Sequence, residues 1–235
     1  LGPMVPDVPK HNLKYKFQLG TRPKEYLGNI ETWDKAEKAL HNVLKKSGKE
    51  YSVAEGDGAF YGPKLDIIMK DAIGRDWQMG TIQLDFQQPR RFELEYVDRD
   101  GKKKTPVVIH RVIYGSLERF IGILIEHTAG AFPLWLSPVQ IKVIPVRENH
   151  NEYAQLVFEL LKENNIRAEL DDNDLNLGTK VRDAKTNKIP YWVVIGDKEV
   201  EAKKVTLESR DAGTLGQIST EELLKKLMEE IKNKK

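Results

Sequence analysis

The sequence contains no cysteine, which excludes disulfides and thiolate-bound metal within the chain and fits a reducing compartment. Long apolar runs are also missing: nothing approaches the roughly 18–20 consecutive apolar residues that a membrane-spanning helix needs. The opening stretch LGPMVPDVPKH carries three prolines and lacks the apolar core of a signal peptide. Charge of one sign is not in excess either, since 38 basic residues face 36 acidic ones for a net +2. Any binding of phosphate then falls to a local basic face rather than to the whole surface. What is present is 40% hydrophobic content over 235 residues, enough for real cores in one or two domains. Composition points to a soluble, intracellular globular protein and goes no further.

The residue pattern changes once, at Phe132-Pro133-Leu134-Trp135-Leu136-Ser137-Pro138. Ahead of it strands dominate. Leu65, Ile67 and Met69 alternate with Lys64, Asp66 and Lys70, and Phe92, Leu94 and Tyr96 repeat the period of two. Asp100-Gly101 between two such runs is a hairpin signal. A helix is expected at each end of this half, the first with Trp33, Ala36, Leu40, Val43 and Leu44 on one face. The second carries Leu117, Phe120, Ile121, Leu124 and Ile125 at helical spacing. After Pro138 strand and helix alternate. Ile141 to Val146 and Ile166 to Leu170 read as strands, with Tyr153, Leu156, Val157, Leu160 and Leu161 on a helix between them. A helix led by Gly178 and Thr179, a strand from Tyr191 to Ile195 and a helix holding Leu223, Leu224, Leu227 and Ile231 follow. The expected architecture is α+β: an antiparallel sheet with flanking helices over 1–137, then a small, parallel-stranded α/β domain over 138–235.

Three segments carry chemistry. In the run from Ile109 to Phe120 a strand enters a turn at Gly115-Ser116 and then a helix. Arg119 falls in that helix's first turn, where the macrodipole disfavours a cation. An anion at the same helix end would make sense of it; a solvated arginine paired with Glu118 or another carboxylate would too. In Tyr61-Gly62-Pro63-Lys64 a turn feeds a strand, where an aromatic commonly packs and a lysine is commonly solvated. In the run Trp77 to Phe86, Ile82, Leu84 and Phe86 share one strand face, and Thr81, Gln83 and Asp85 the other. That polar face suits solvent or a polar pocket equally.

The first run, His-Arg-x-x-x-Gly-Ser-x-Glu-Arg-Phe from His110 to Phe120, resembles motif 3 of the class II aminoacyl-tRNA synthetases, and in its full form the threonyl members of that family. Ala59-Phe60-Tyr61-Gly62-Pro63-Lys64 and Trp77-Gln78-Met79-Gly80-Thr81-Ile82-Gln83-Leu84-Asp85-Phe86 are similar to two further signatures of the same members. The resemblance implies a class II synthetase fold and a threonine–tRNA ligase that activates threonine with ATP and Mg²⁺ to threonyl-adenylate, then transfers it to tRNA(Thr). It implies Arg119 as the catalytic cation on ATP phosphate, with Ser116, Lys64, Gln78 and Thr81 also near the nucleotide. Tyr61, Thr81 and Gln83 would line the threonine pocket. Gln78 has the wrong parity for that face, so a bulge is expected near Gly80. His110 would be a zinc ligand. Zinc would discriminate because threonine chelates through amino and hydroxyl groups, whereas valine cannot.

About three protein ligands are needed for zinc. The family's other two, a Cys and a His, come from an upstream segment; this chain has no Cys, and His11, His41, His127 and His150 lie in no matching motif. Motifs 1 and 2 are not found. A fragment, a non-catalytic tRNA-binding paralogue and a sister ligase such as the prolyl enzyme therefore stand as alternatives to an authentic threonyl enzyme. From about Pro138 onward the chain resembles the family's anticodon-binding domain. Gly178-Thr179-Lys180-Val181-Arg182 and the run from Pro190 to Val200 imply that Arg182 and Glu199 contact anticodon bases. Asn173-Asp174 stands where the family carries Arg-Asn, and Glu208 where it carries an arginine. A homodimer of the full-length enzyme, a cytoplasmic location and no membrane partner complete what the resemblance implies.

Overall fold

The computed structural model describes residues 14–234; the proline-bearing opening and His11 lie outside the described residues. The chain divides between His127 and Thr128 into two compact units, ahead of the boundary expected at 137/138. The reason lies in the intervening stretch, which is anchored to the second unit. Leu134 joins that unit's core, Gln140 donates to the Leu134 carbonyl at 3.0 Å, and Arg167 donates to the carbonyls of Ser137 and Trp135, each at 2.9 Å.

The first unit runs β1 (Tyr15–Gly20), α1 (Ile30–Ser47), β2 (Tyr51–Ala54), β3 (Lys64–Lys70), β4 (Asp76–Asp85), α2 (Gln88–Arg91), β5 (Tyr96–Val97), β6 (Lys103–Lys104), β7 (Val108–Val112) and α3 (Leu117–Thr128). Its sheet has the order β2-β1-β3-β4-β7, with β1 and β2 parallel and the other neighbours antiparallel. Asn29 starts α1 by accepting from the Thr32 amide at 2.8 Å, the usual way an orphan N–H at a helix start is satisfied. Phe17, Leu19, Leu65, Ile67 and Met69 form a core with Leu40 and Leu44 of α1 and Ile123 of α3. One sheet face is therefore covered by helices.

Some apolar residues do not bury as expected. Val43 sits at the margin of the α1 stripe and is 39% exposed. On α3, Ile123 and Leu124 are buried while Leu117, Ile121 and Ile125 are exposed; the apolar stripe of this amphipathic helix is wider than the surface it covers, and Phe120 and Ile123 are the residues that pack on the sheet core. Phe92 and Leu94 belong to no strand. Asp85 accepts the amides of Gln87 and Gln88 at 2.8 and 2.9 Å, and Pro89 sits in the first turn of α2, so the chain coils after β4. The hairpin at Asp100-Gly101 does form, between the two-residue strands β5 and β6.

The second unit runs β8 (Ile141–Pro145), α4 (Asn151–Glu163), β9 (Ala168–Leu170), α5 (Leu177–Thr186), β10 (Tyr191–Ile195), α6 (Asp197–Ala202), β11 (Lys204–Ser209), β12 (Gly213–Ser219) and α7 (Thr220–Lys232). The sheet order is β12-β11-β10-β8-β9. β9, β8 and β10 are parallel, as expected, but β11 and β12 add an antiparallel edge. Val205 and Leu207 of β11 are buried in the main core beside Val143, Val157, Val193, Leu223 and Leu227. Ile144, Ala184, Ile189 and Trp192 form a second apolar cluster. Among the described residues no helix is long and apolar enough to cross a membrane.

Candidate functional site

The expected bulge is present. Ile67 pairs with Gly80 and Ile68 with Gln78, so Met79 is the extra residue of β4. Past the bulge, Gln78 lies opposite Ile68, and Thr81 and Gln83 lie opposite Asp66 and Lys64. Gln83 also pairs with His110 of β7. Paired residues share a sheet face, so Lys64, Asp66, Gln78, Thr81, Gln83 and His110 stand together on the face opposite the core.

Tyr61 reaches this face from the turn before β3. Gly62 lies so close to β4 that a Cβ there would meet the Leu84 carbonyl oxygen at 1.6 Å, which only glycine permits. The Tyr61 hydroxyl donates to Gln83 Oε1, and Gln83 Nε2 donates to Thr81 Oγ1 at 3.3 Å. Burial, and after it the charge of Asp85, pushes the Tyr61 phenol up, so it remains a protonated donor. The His110 ring packs edge-on to Tyr61 at 5.9 Å, and its Nε2 lies 3.0 Å from Asp85 Oδ2.

Lys64 is held between Asp66 at 2.9 Å and Asp57 at 3.1 Å. Burial works against its charge, but the hydrogen bonds to Asp66 and Asp57 outweigh it and raise the ammonium pKa. Gln78 Nε2 donates to Asp66 Oδ1 at 2.8 Å. Asp57 and Asp66, which sequence reasoning did not single out, thus neutralise the lysine expected to meet phosphate.

Arg119 does not pair with Glu118, whose carboxylate instead accepts from Ser116 Oγ at 2.7 Å. The guanidinium lies over the Trp77 ring at 5.5 Å and donates to the Gln78 carbonyl at 3.4 Å. Its charge meets π-density and a carbonyl rather than a carboxylate, which suits an incoming anion. The turn into α3 is seated on the bulge: Gly115 has φ +64, and a Cβ there would meet the Met79 oxygen at 2.6 Å. The bulge therefore places Gln78 and supports the turn that carries Ser116 and Arg119.

For zinc the described residues fall short. None of them form a group of three or more His, Cys, Asp or Glu able to hold a metal, and His110 stands as a single imidazole beside one carboxylate.

In the second unit Arg182 is exposed on α5. The same helix contributes Lys180 to a polar cavity of about 350 Å³, lined also by Arg147, Asn151, Asn173 and Asp174. Lys180 is buried and donates to the carbonyls of Asp171 and Pro145 at 2.9 and 3.3 Å. Glu199 serves the fold itself, since its carboxylate accepts from Gly196 N at 3.0 Å, Thr206 Oγ1 at 2.7 Å and Gln217 Nε2 at 3.2 Å. Burial raises its pKa, but those donors prevail and lower it. Glu208 accepts from Trp192 Nε1 at 3.0 Å.

A family model described as the tRNA synthetase class II core domain (G, H, P, S and T) matches residues 25–128, and one described as the anticodon binding domain matches residues 140–230. With a synthetase core followed by an anticodon-binding domain, the chain is of the class II aminoacyl-tRNA synthetases. Threonine–tRNA ligases of Caldanaerobacter subterraneus subsp. tengcongensis and Clostridium botulinum are 54% and 55% identical to it over 221 residues. These matches cover 94% of this chain but 34% and 35% of those relatives. The crystal structure of the RNA binding domain of threonyl-tRNA synthetase from Cryptosporidium parvum superposes with a TM-score of 0.86 at 40% identity, covering 93% of this chain and 56% of that one. The chain belongs to the threonine–tRNA ligase family and spans about a third of the length of the curated relatives it matches.

Proposed function

We propose that the protein to which this chain belongs joins threonine to tRNA(Thr), using ATP to form threonyl-adenylate first. The observation that carries this reading is the convergence of Tyr61, Gln83, Thr81, Lys64, Gln78 and His110 on one polar sheet face. Tyr61, Gln83 and Thr81 form a hydrogen-bonded chain suited to a substrate with a hydroxyl. A site built to bond a hydroxyl rejects an analogue that lacks it far better than an apolar pocket does. Lys64, Gln78, Ser116, Thr81 and Arg119 would receive ATP, which arrives with Mg²⁺. Phosphate would take the place of Asp57 on Lys64, since Asp57 is half exposed whereas Asp66 is buried. These residues position two anions and offset their repulsion, and no protein acid or base is required.

His110 would contribute one ligand to a zinc site whose other ligands are not among the described residues; zinc held there would supply chelation of threonine through its amino and hydroxyl groups. Arg182 would meet an anticodon base edge. Glu199 would do so only through lone pairs its three donors leave free. Homodimerisation of the whole enzyme and a cytoplasmic location belong to the same proposal.

The test is threonine-dependent exchange of pyrophosphate into ATP, run on this chain and on a full-length enzyme containing it. The full-length enzyme is expected to exchange, and Arg119→Ala in it to lose about 100–1000-fold in rate. This chain alone is expected to be silent. A silent full-length enzyme that still binds tRNA would establish the non-catalytic paralogue instead.

A further inference from the structure

We propose that Asp85 is the positioning residue of this site, holding the His110 proton on Nε2 and so leaving Nδ1, with its lone pair, as the atom offered to the pocket. Asp85 is buried at the end of β4, and its two oxygens have different work. Oδ1 accepts the backbone amides of Gln87 and Gln88 at 2.8 and 2.9 Å, while Oδ2 lies 3.0 Å from His110 Nε2. A carboxylate only accepts, so Nε2 must carry a proton whether the ring is neutral or cationic. Nδ1 makes no hydrogen bond among the described residues, and the His110 side chain is 37% exposed.

The register explains why these two groups meet. Asp85 pairs with Val108 and Gln83 with His110, which makes Asp85 and His110 diagonal neighbours on one face, within reach of long side chains. An imidazole with one nitrogen on a carboxylate and the other bare is set up for an electron-pair acceptor. That this acceptor is a zinc ion rests on the ligase reading; the proton's position does not.

The experiment is long-range ¹H–¹⁵N correlation NMR of histidine-labelled chain in mildly alkaline buffer, with the His110 signals assigned by their loss in His110→Gln. The unaltered chain is expected to show His110 as the Nε2–H form. In Asp85→Asn the amide oxygen stays with the Gln87 and Gln88 amides, so the amide nitrogen faces Nε2 as a donor. Nε2 must then accept, and the ratio of tautomers should invert toward Nδ1–H. An Nδ1–H form in the unaltered chain would overturn the proposal even if the variant failed to fold. An unchanged tautomer in a folded Asp85→Asn chain, with the Gln87 and Gln88 amide signals in place, would overturn it too. Inversion together with a full-length enzyme silent in pyrophosphate exchange would uphold Asp85 and remove the ligase reading alone.

Discussion

Gln78 donates its side-chain amide to the buried carboxylate of Asp66 at 2.8 Å, a contact that exists only because the β3–β4 register shifts between Ile67 and Ile68. In an unbroken ladder Gln78 would lie opposite Met69 and point into the core. The extra residue, Met79, is itself 2% exposed and packed among the core side chains. One irregularity thus serves both faces of the sheet.

Truncating Met79 should therefore cost core energy without moving Gln78. Met79→Ala is expected to destabilise the first unit by about 2–5 kcal/mol, read from urea unfolding. Gln78 should remain opposite Ile68, because the bulge is a property of the backbone. An unfolding midpoint equal to that of the parent would show that the bulge residue carries no core packing.

Lys64 and Asp66 make a second test. Their side chains are 14% and 2% exposed, so removing one partner strands a charge. Lys64→Met is expected to cost about 3 kcal/mol or more. Replacing both, as Lys64→Met with Asp66→Leu, should recover part of that loss, since a buried ion pair is often no better than packed apolar groups. If the double variant were the less stable of the two, the pair would be more than mutual compensation.

Much of this was legible in the sequence, and the misses share causes. The parity conflict between Gln78 and Gln83 predicted the bulge, and β10 is found at Tyr191–Ile195, where five apolar residues read as a strand. Helix α3 was legible as an amphipathic helix, but its apolar stripe is broad enough that spacing alone does not say which part of it is covered. The hairpin of β11 and β12 was not read. Lys203 takes a left-handed φ of 52 at the end of α6, and no residue-type signal marks a lysine for that conformation. Asp85 was visible on the polar strand face, yet its role depends on β7 lying beside β4, and that pairing is not local. Glu199 fits a signature, but its half-buried carboxylate proves to close α6 onto β11 and β12.

In the second unit Asp171 and Lys142 supply a pH-dependent contribution. Asp171 lies 2.9 Å from Lys142, with side-chain exposures of 3% and 8%. Burial raises the Asp171 pKa, but Lys142 and Asn173 outweigh it and leave it depressed. A depressed carboxylate stabilises the fold above its unfolded value of about 3.9, and that contribution fades as pH falls through the lower folded value. Asp171→Asn should therefore cost about 3 kcal/mol near neutrality, Glu169 remaining at 3.1 Å as a partner for Lys142. Once the pH lies below that lower folded value the variant and parent should converge. A gap that stays constant down the pH range would mean that the side-chain shape, not its charge, is what matters.

Arg182 and Glu199 were paired by resemblance as anticodon contacts, and the structure separates them. Arg182 is exposed on α5, so its removal should leave the fold intact. An arginine on a base edge is worth about 1–3 kcal/mol. Arg182→Ala is thus expected to weaken binding of a tRNA(Thr) anticodon stem-loop by roughly 5–150-fold at unchanged melting temperature. Glu199 takes three hydrogen bonds that cap the start of α6 at Gly196 and join the helix to β11 and β12. Glu199→Gln keeps the shape but turns one acceptor oxygen into a donor facing other donors, so its melting temperature should fall. Whatever affinity it loses should return in part when binding is measured well below that melting temperature. Fluorescence anisotropy with the labelled stem-loop, paired with thermal unfolding of each variant, distinguishes the two roles. A destabilised Arg182→Ala would overturn the division of labour, and so would a Glu199→Gln that keeps its melting temperature and loses RNA.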